Sequence, residues 1–249
     1  MKPPAHERGT PPLVVPHRLP GPPREAILLE RENRFLARCA LPTGEVIHAH
    51  VPDRGRLLEL LVPGTQVWVF AAPAGTRSTS WSLLVAKEPA SGTLTAIDPA
   101  GANARVRALL ARGLVPGISA GWSVQGEVKI GESRIDFLLT RAAERLAVEV
   151  KSVGVVRGGV ALFPDAPTLR GLKHLGELEA YVRRKEGRAM VLFVAQRGDA
   201  ECVTPDEAID PDFAAGLRRA SRWLDLRAVR FIIRPEGCAF DGEIPVRLR

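Results

Sequence analysis

Ser133-Arg134-Ile135-Asp136-Phe137-Leu138-Leu139 is followed, after a short polar break, by Ala147-Val148-Glu149-Val150-Lys151. Both stretches are aliphatic and β-prone, and the break between them is short enough for a hairpin loop. With that loop at residues 141–144, facing residue numbers sum to 285, so Asp136 faces Glu149 and Arg134 faces Lys151. Strand side chains alternate. Arg134, Asp136, Glu149 and Lys151 are therefore expected on one face, with Ile135, Phe137, Val148 and Val150 packing on the other.

Carboxylates facing each other across a ladder lie roughly 4.5–5.5 Å apart at Cβ, where like charges destabilise. A divalent cation offsets that repulsion, and hard oxygen ligands suit Mg²⁺ or Mn²⁺. Asp136 and Glu149 are thus candidate metal ligands. The amine of Lys151 beside them can position or activate a water, and such a set serves phosphodiester hydrolysis. The spacing alone leaves a second reading open, in which Arg134 and Lys151 pair with the two acids on a solvated face.

Upstream, residues 24–97 read as β-rich. Short candidate strands at 27–30, 35–40, 46–51, 66–70 and 81–86 are punctuated by Gly44, Pro52, Gly55, Pro63-Gly64 and Gly75. Five strands at this spacing suggest an OB-fold-like barrel, with a helical turn at 56–61. Before them, residues 1–23 hold 8 of the 21 prolines, which suggests a disordered or polyproline arm.

From residue 98 the pattern changes to α/β. A helix is expected over 103–112, then strands at 123–129, 133–140 and 145–153. A helix capped by Thr168 should run to about 185, with Leu172, Leu175, Leu178 and Val182 as its buried stripe. The apolar run 189–195 suits a central strand covered on both faces. Asp210-Pro211 opens a helix to about 224, and 229–233 is the last strand expected. The whole is mixed α+β: a five-stranded barrel, then an α/β domain over 98–249 with a mixed central sheet.

Composition narrows the function classes. With 45% hydrophobic and 25% charged residues, 249 residues are ordinary for a globular chain. No stretch of 18 apolar residues exists, and no apolar segment follows the first basic residues, so neither membrane span nor secretory signal is expected. Cys39, Cys202 and Cys238 are odd in number and form no CxxC, which points to a reducing cytoplasm rather than a disulfide framework. The net charge of +7 rests on Arg far more than Lys. That is consistent with a polyanionic partner, and equally with genomic base composition. His48 and His50 share a strand face but lack a third ligand for zinc, and Gly154 to Gly159 lacks the P-loop pattern.

Four stretches carry a family resemblance: Glu127-Val-Lys-Ile-Gly-Glu-Ser-Arg-Ile-Asp136-Phe-Leu-Leu, Glu149-Val-Lys151-Ser-Val, Phe163-Pro-Asp165-Ala-Pro-Thr168-Leu-Arg170-Gly171-Leu-Lys173-His174-Leu, and Asn33-Arg34-Phe35-Leu36. Together they resemble the sugar fermentation stimulation protein A (SfsA) family from about Leu28 to Val229, leaving out the proline arm. The resemblance implies an N-terminal OB-fold, a PD-(D/E)xK nuclease-like domain, and DNA as partner, with RNA a second candidate. On the nuclease motif, Asp136, Glu149 and Lys151 take the catalytic places, and Glu127 is a candidate further acidic ligand. Where the family usually shows His-x-Pro-Asn-Thr-Gly, this chain has His50-Val51-Pro52-Asp53-Arg54-Gly55. The role of that Asn-Thr pair is open here, and Arg54 and Arg56 are candidates for phosphate contact instead.

The capped start of the 168–185 helix presents free N–H groups beside Arg170, Lys173 and His174, a candidate phosphate grip. A packed βα loop with turn and cap roles for Asp165 and Thr168 stays open as the alternative, as does a water-mediated reach of Asp165 to the metal. Arg34, His50, Arg54 and Arg56 would hold nucleic acid on the barrel, with Phe35 or Trp68 available to stack a base if exposed. Two functions follow: a Mg²⁺- or Mn²⁺-dependent nuclease, or a non-cleaving DNA-binding regulator of sugar (maltose) metabolism. A homodimer is the default oligomer.

Overall fold

The computed structural model describes residues 13–53, 55, 57–73, 75 and 79–248. A two-residue strand, β1 (Val14–Val15), precedes the barrel strands β2 (Arg24–Asn33), β3 (Leu36–Ala40), β4 (Val46–His50), β5 (Gln66–Ala71) and β6 (Trp81–Lys87). These five pair in the order β4-β3-β2-β5-β6. Ala49 and His50 of β4 then meet Trp81 and Ser82 of β6, which closes the barrel. The period-two pattern puts Leu28, Ile47, Val67 and Leu83 inside. The turn after β4 plugs one end with Leu57, Leu60 and Leu61. A short strand, β7 (Leu94–Ala96), extends from β6 toward the second domain.

The second domain begins with α1 (Pro99–Leu110). It continues through β8 (Ser123–Ile130), β9 (Ser133–Arg141), β10 (Glu144–Val153), β11 (Val155–Arg157) and β12 (Val160–Phe163). Then come α2 (Leu169–Arg183), β13 (Arg188–Ala195), β14 (Cys202–Pro205), α3 (Pro211–Ala220), β15 (Asp225–Arg234) and β16 (Gly237–Ile244). Its main sheet runs β1-β16-β15-β13-β10-β9-β8. β13 lies parallel to β10 and β15, and the other pairings are antiparallel. A side sheet, β11-β12-β14, flanks it. The apolar face of α1 (Val106, Leu109, Leu110) packs on one side of the main sheet. Leu175 and Leu178 of α2 and Phe213 and Leu217 of α3 pack on the other. This covers β13 on both faces, as its apolar run requires. Among the described residues, no helix is long and apolar enough to cross a membrane.

Four expectations change. Residues 13–23 are not a disordered arm: β1 pairs with β16, and Val15 and Leu19 enter the core of the second domain. Prolines 16, 20, 22 and 23 hold φ in the range of an extended strap as readily as that of a disordered one. Residues 1–12 lie outside the described residues. The chain does not end its sheet at β15, because Gly237–Ile244 returns as β16. The α2 stripe is rotated: Gly171, His174, Leu175, Leu178 and Tyr181 are buried, while Leu172 leans on Gly216 of α3.

The fourth correction concerns the faces of β9. Phe137 and Val124 pack in the core under α1, but Ile135, Val128 and Ile130 pack in the core under α2. The β8–β9 ribbon turns over at Glu127, whose φ of 55° is left-handed. Ile135 therefore does not share a core with Phe137, Val148 and Val150. Arg134 goes to the outer surface, where it pairs with Glu127.

Candidate functional site at the domain boundary

β9 and β10 pair in the register anticipated above, from Arg141↔Glu144 to Phe137↔Val148. One step further, where Asp136 would meet Glu149, the ladder stops. Asp136 Oδ2 instead accepts the Val150 N–H at 2.8 Å, so a side chain replaces a main-chain partner. Asn103 of α1 donates to the other oxygen at 2.7 Å. The strand ends thus part around two carboxylates.

Glu149 is 3% exposed and its two oxygens differ. Oε1 accepts from Lys151 Nζ at 2.7 Å and is joined by His174 Nδ1 at 2.5 Å. Oε2 is buried with no hydrogen-bond partner among the described residues, a state that needs an explanation in a native fold. Lys151 and His174 are themselves 8% and 4% exposed. Arg170 Nε donates to His174 Nε2 at 3.3 Å, which assigns the ring proton to Nδ1 and makes it the donor to Glu149.

The two acids are held differently. Burial and then the charge of Glu149 push the pKa of Asp136 up. Burial also acts to raise Glu149, but the His174 hydrogen bond and the charge of Lys151 outweigh it, and its pKa is lowered. Burial thus disfavours the charged form of Asp136, whereas His174 and Lys151 favour that of Glu149.

Both acids line a cleft of about 720 Å³ between the domains. One wall is the barrel, with Arg34, Pro52, Asp53 and Leu57; the other is the segment running from Leu162 into the first turn of α2. At the boundary Asp53 and Asp165 approach across Gly55, where any Cβ would collide with Asp165 Oδ2. Burial, with the charge of Asp165 adding to it, pushes the Asp53 carboxyl up to about 6. Burial also raises Asp165.

Of the residues singled out in the sequence, the structure brings together Asp136, Glu149, Lys151 and His174, with Arg34 and Arg170 on the cleft walls. It does not bring in Glu127, whose exposed carboxylate pairs with Arg134 outside the cleft. Lys173 is exposed on α2 and does not line the cleft, and His50, half-buried on β4, does not line it either. Arg54 and Arg56 lie outside the described residues. His174 is buried and points inward to Glu149. Trp68 packs against the core, whereas Phe35 is 47% exposed beside Arg34. Sequence reasoning missed Asn103, for which no local signal exists. It also missed the inward turn of His174, which the spacing of Gly171, His174, Leu178 and Tyr181 at three and four residues does signal.

Fold and site together define a class: an OB barrel joined to a mixed α/β domain, with a recessed acidic cleft where they meet. The family model described as "SfsA N-terminal OB domain" matches residues 29–96, and that of the "Sugar fermentation stimulation protein RE domain" matches residues 100–237. The chain belongs to the sugar fermentation stimulation protein family. A homolog from Geotalea uraniireducens is 38% identical, with 92% of this chain and 99% of the relative covered. One from Geobacter metallireducens is 39% identical, covering 93% and 100%. The solved structure of Pyrococcus furiosus SfsA in complex with Ca²⁺ superposes with a TM-score of 0.84 at 26% identity, covering 94% of this chain and 99% of that one.

Proposed function

We propose that this protein is a PD-(D/E)xK-type, metal-dependent phosphodiesterase that acts on nucleic acid, DNA before RNA. The observation that carries the reading is Glu149 Oε2, a buried carboxylate oxygen with no hydrogen-bond partner among the described residues, beside the cleft that Asp136 shares. Among the described residues no group of three or more His, Cys, Asp and Glu side chains is arranged to hold a metal. Two carboxylates completed by water fit Mg²⁺ or Mn²⁺, which keep several waters, and do not fit zinc. The solved Pyrococcus relative binds Ca²⁺, a cation of the same hard class.

Asp136 and Glu149 would hold the ion. When bound, it stabilises the negative charge that develops on the phosphate oxygens. The protein's own groups do the rest. Lys151 Nζ, fixed by Glu149, has further N–H bonds with which to orient a water toward phosphorus. Arg34 and Arg170, on opposite walls, clamp flanking phosphates. The recessed position of Glu149 and Lys151, both largely buried, strengthens these interactions.

Incubation of the full chain with plasmid, single-stranded DNA and RNA, with Mn²⁺ or with chelator, tests the reading. Cleavage should require the metal and fall at least about 100-fold in Asp136→Asn. The same substitution should make the stability of the metal-free protein less sensitive to rising pH, because it removes a buried ionisable group. The sign follows from the raised pKa of Asp136: its ionisation disfavours the fold as pH rises. Equal residual cleavage by wild type and Asp136→Asn refutes the enzyme. Salt-sensitive gel shifts without any cleavage support a non-cleaving regulator instead.

A further inference from the structure

The two oxygens of Glu149 are chemically equal in a free carboxylate, yet here one is doubly hydrogen-bonded and the other bare. Lys151 alone does not enforce this. Its ammonium sits on a flexible stem two residues away on the same strand and follows either oxygen. His174 is different in kind: a rigid ring, buried, on another element. We propose that His174, oriented by Arg170, is a positioning residue that reserves Glu149 Oε1 for the protein and presents Oε2 alone to a divalent cation. The assignment rests on the cation-site reading just given.

The surroundings show how the ring is held. α2 begins at Thr168, whose hydroxyl accepts the Gly171 N–H at 3.0 Å, while the Thr168 N–H donates to Asp210 at 2.7 Å. Gly171 lets this first turn close on its neighbours, since a Cβ there would lie 2.8 Å from Thr168 Cγ2 and 3.3 Å from Phe213. One turn on, His174 projects at Glu149, and Arg170, at i−4, caps its far nitrogen. Without the ring, Glu149 is free to turn Oε2 toward Lys151, and the site loses its open oxygen. A merely space-filling histidine needs neither the donor at Nδ1 nor the partner at Nε2.

Calorimetric titration of the full chain with Mn²⁺ alone, in the absence of nucleic acid, tests this on wild type, His174→Ala, His174→Asn and Arg170→Ala, with thermal midpoints taken alongside. Asn places a side-chain N–H near the position of Nδ1. His174→Ala is expected to weaken Mn²⁺ binding about 10–100-fold. His174→Asn should recover it to within about threefold of wild type, and Arg170→Ala should lose about threefold. The assignment is overturned if folded His174→Ala binds Mn²⁺ as wild type does, or if folded His174→Asn binds no better than His174→Ala. Should His174→Ala fail to fold, undiminished binding by Arg170→Ala, an exposed position, overturns it. A wild type that binds no Mn²⁺ refutes the cation site itself, and this assignment with it.

Discussion

Asp53 shows how one side chain sets a pH response. Its carboxyl is pushed from 3.8 up to about 6, by burial first, with the charge of Asp165 adding and the Gly55 N–H and Arg31 opposing. The folded chain therefore holds this proton more tightly than the unfolded one. Stability from this group is full below about pH 4 and falls as pH rises through 6. Asp53→Asn removes the ionisation while its amide oxygen can still accept the Gly55 N–H. It also restores the residue at the matching place of the family pattern. Discounted for solvent screening, the gain at pH 7.5 should be about 1–2 kcal/mol, with little gain at pH 4. Urea unfolding at both pH values checks this, and an equal gain at both would exclude titration as the cause. No sequence pattern announces this pair, because Asp53 and Asp165 belong to different domains and meet only in the folded chain. Asp136, Glu149 and Lys151 were legible for the opposite reason: strand period and a tight loop place them by counting.

The same contrast holds for elements. The β9–β10 register was readable because a short hairpin and an alternating apolar face leave little choice. The turning over of β8 and β9 was not, since it depends on a glutamate adopting a left-handed φ. β1 and the side sheet were missed because short strands take their stability from neighbours rather than from their own composition, and β16 because its Gly237-Cys-Ala-Phe-Asp-Gly-Glu-Ile244 lacks a β-branched run. The caps of α2 and α3 were legible, whereas α1 starts at Pro99 rather than at 103, although its face of Val106, Leu109 and Leu110 is the one buried. Asp210 caps α3 as its Asp-Pro sequence suggests, but it also anchors α2. One oxygen accepts the Phe213 N–H at 2.9 Å, the other the Thr168 N–H at 2.7 Å. Asp210→Ala should therefore cost more than an ordinary cap: about 1 kcal/mol for α3, and about 1–3 kcal/mol for the second stranded N–H. Asp210→Asn, which keeps one acceptor, should cost about half of that. Denaturant midpoints of the two variants check the ranking. A loss in Asp210→Ala below about 1 kcal/mol would mean that the α2 terminus does not depend on it.

At the scale of the molecule, the cleft exists only if the two domains are held at a fixed spacing, and the links between them are identifiable. Ala96 N–H donates to Gln196 O and Ile97 N–H to Leu84 O, so the connection out of β7 is bonded to both domains. The strap of residues 13–23 adds a second tie. Its β1 extends the main sheet, Val15 and Leu19 fill the core, and Arg18 pairs at 3.0 Å with Asp98, which is 1% exposed at the start of α1. Proline richness made this segment read as disorder, although extended backbone on a sheet edge satisfies the same constraint. A chain that starts at residue 24 loses two buried apolar side chains, worth together about 3–5 kcal/mol as an upper estimate. It also leaves a buried carboxylate at Asp98 without its partner, a further cost of the kind seen when one member of a buried pair is removed. At about 2–4 °C per kcal/mol for a domain of this size, the thermal midpoint should drop by roughly 10 °C or more. Arg18→Ala in the full chain isolates the Asp98 share and should lower the midpoint by a smaller amount. A truncated chain that melts with the full one would show that the strap, although packed, carries no load, and that the cleft keeps its width through the residue 96–99 connection alone.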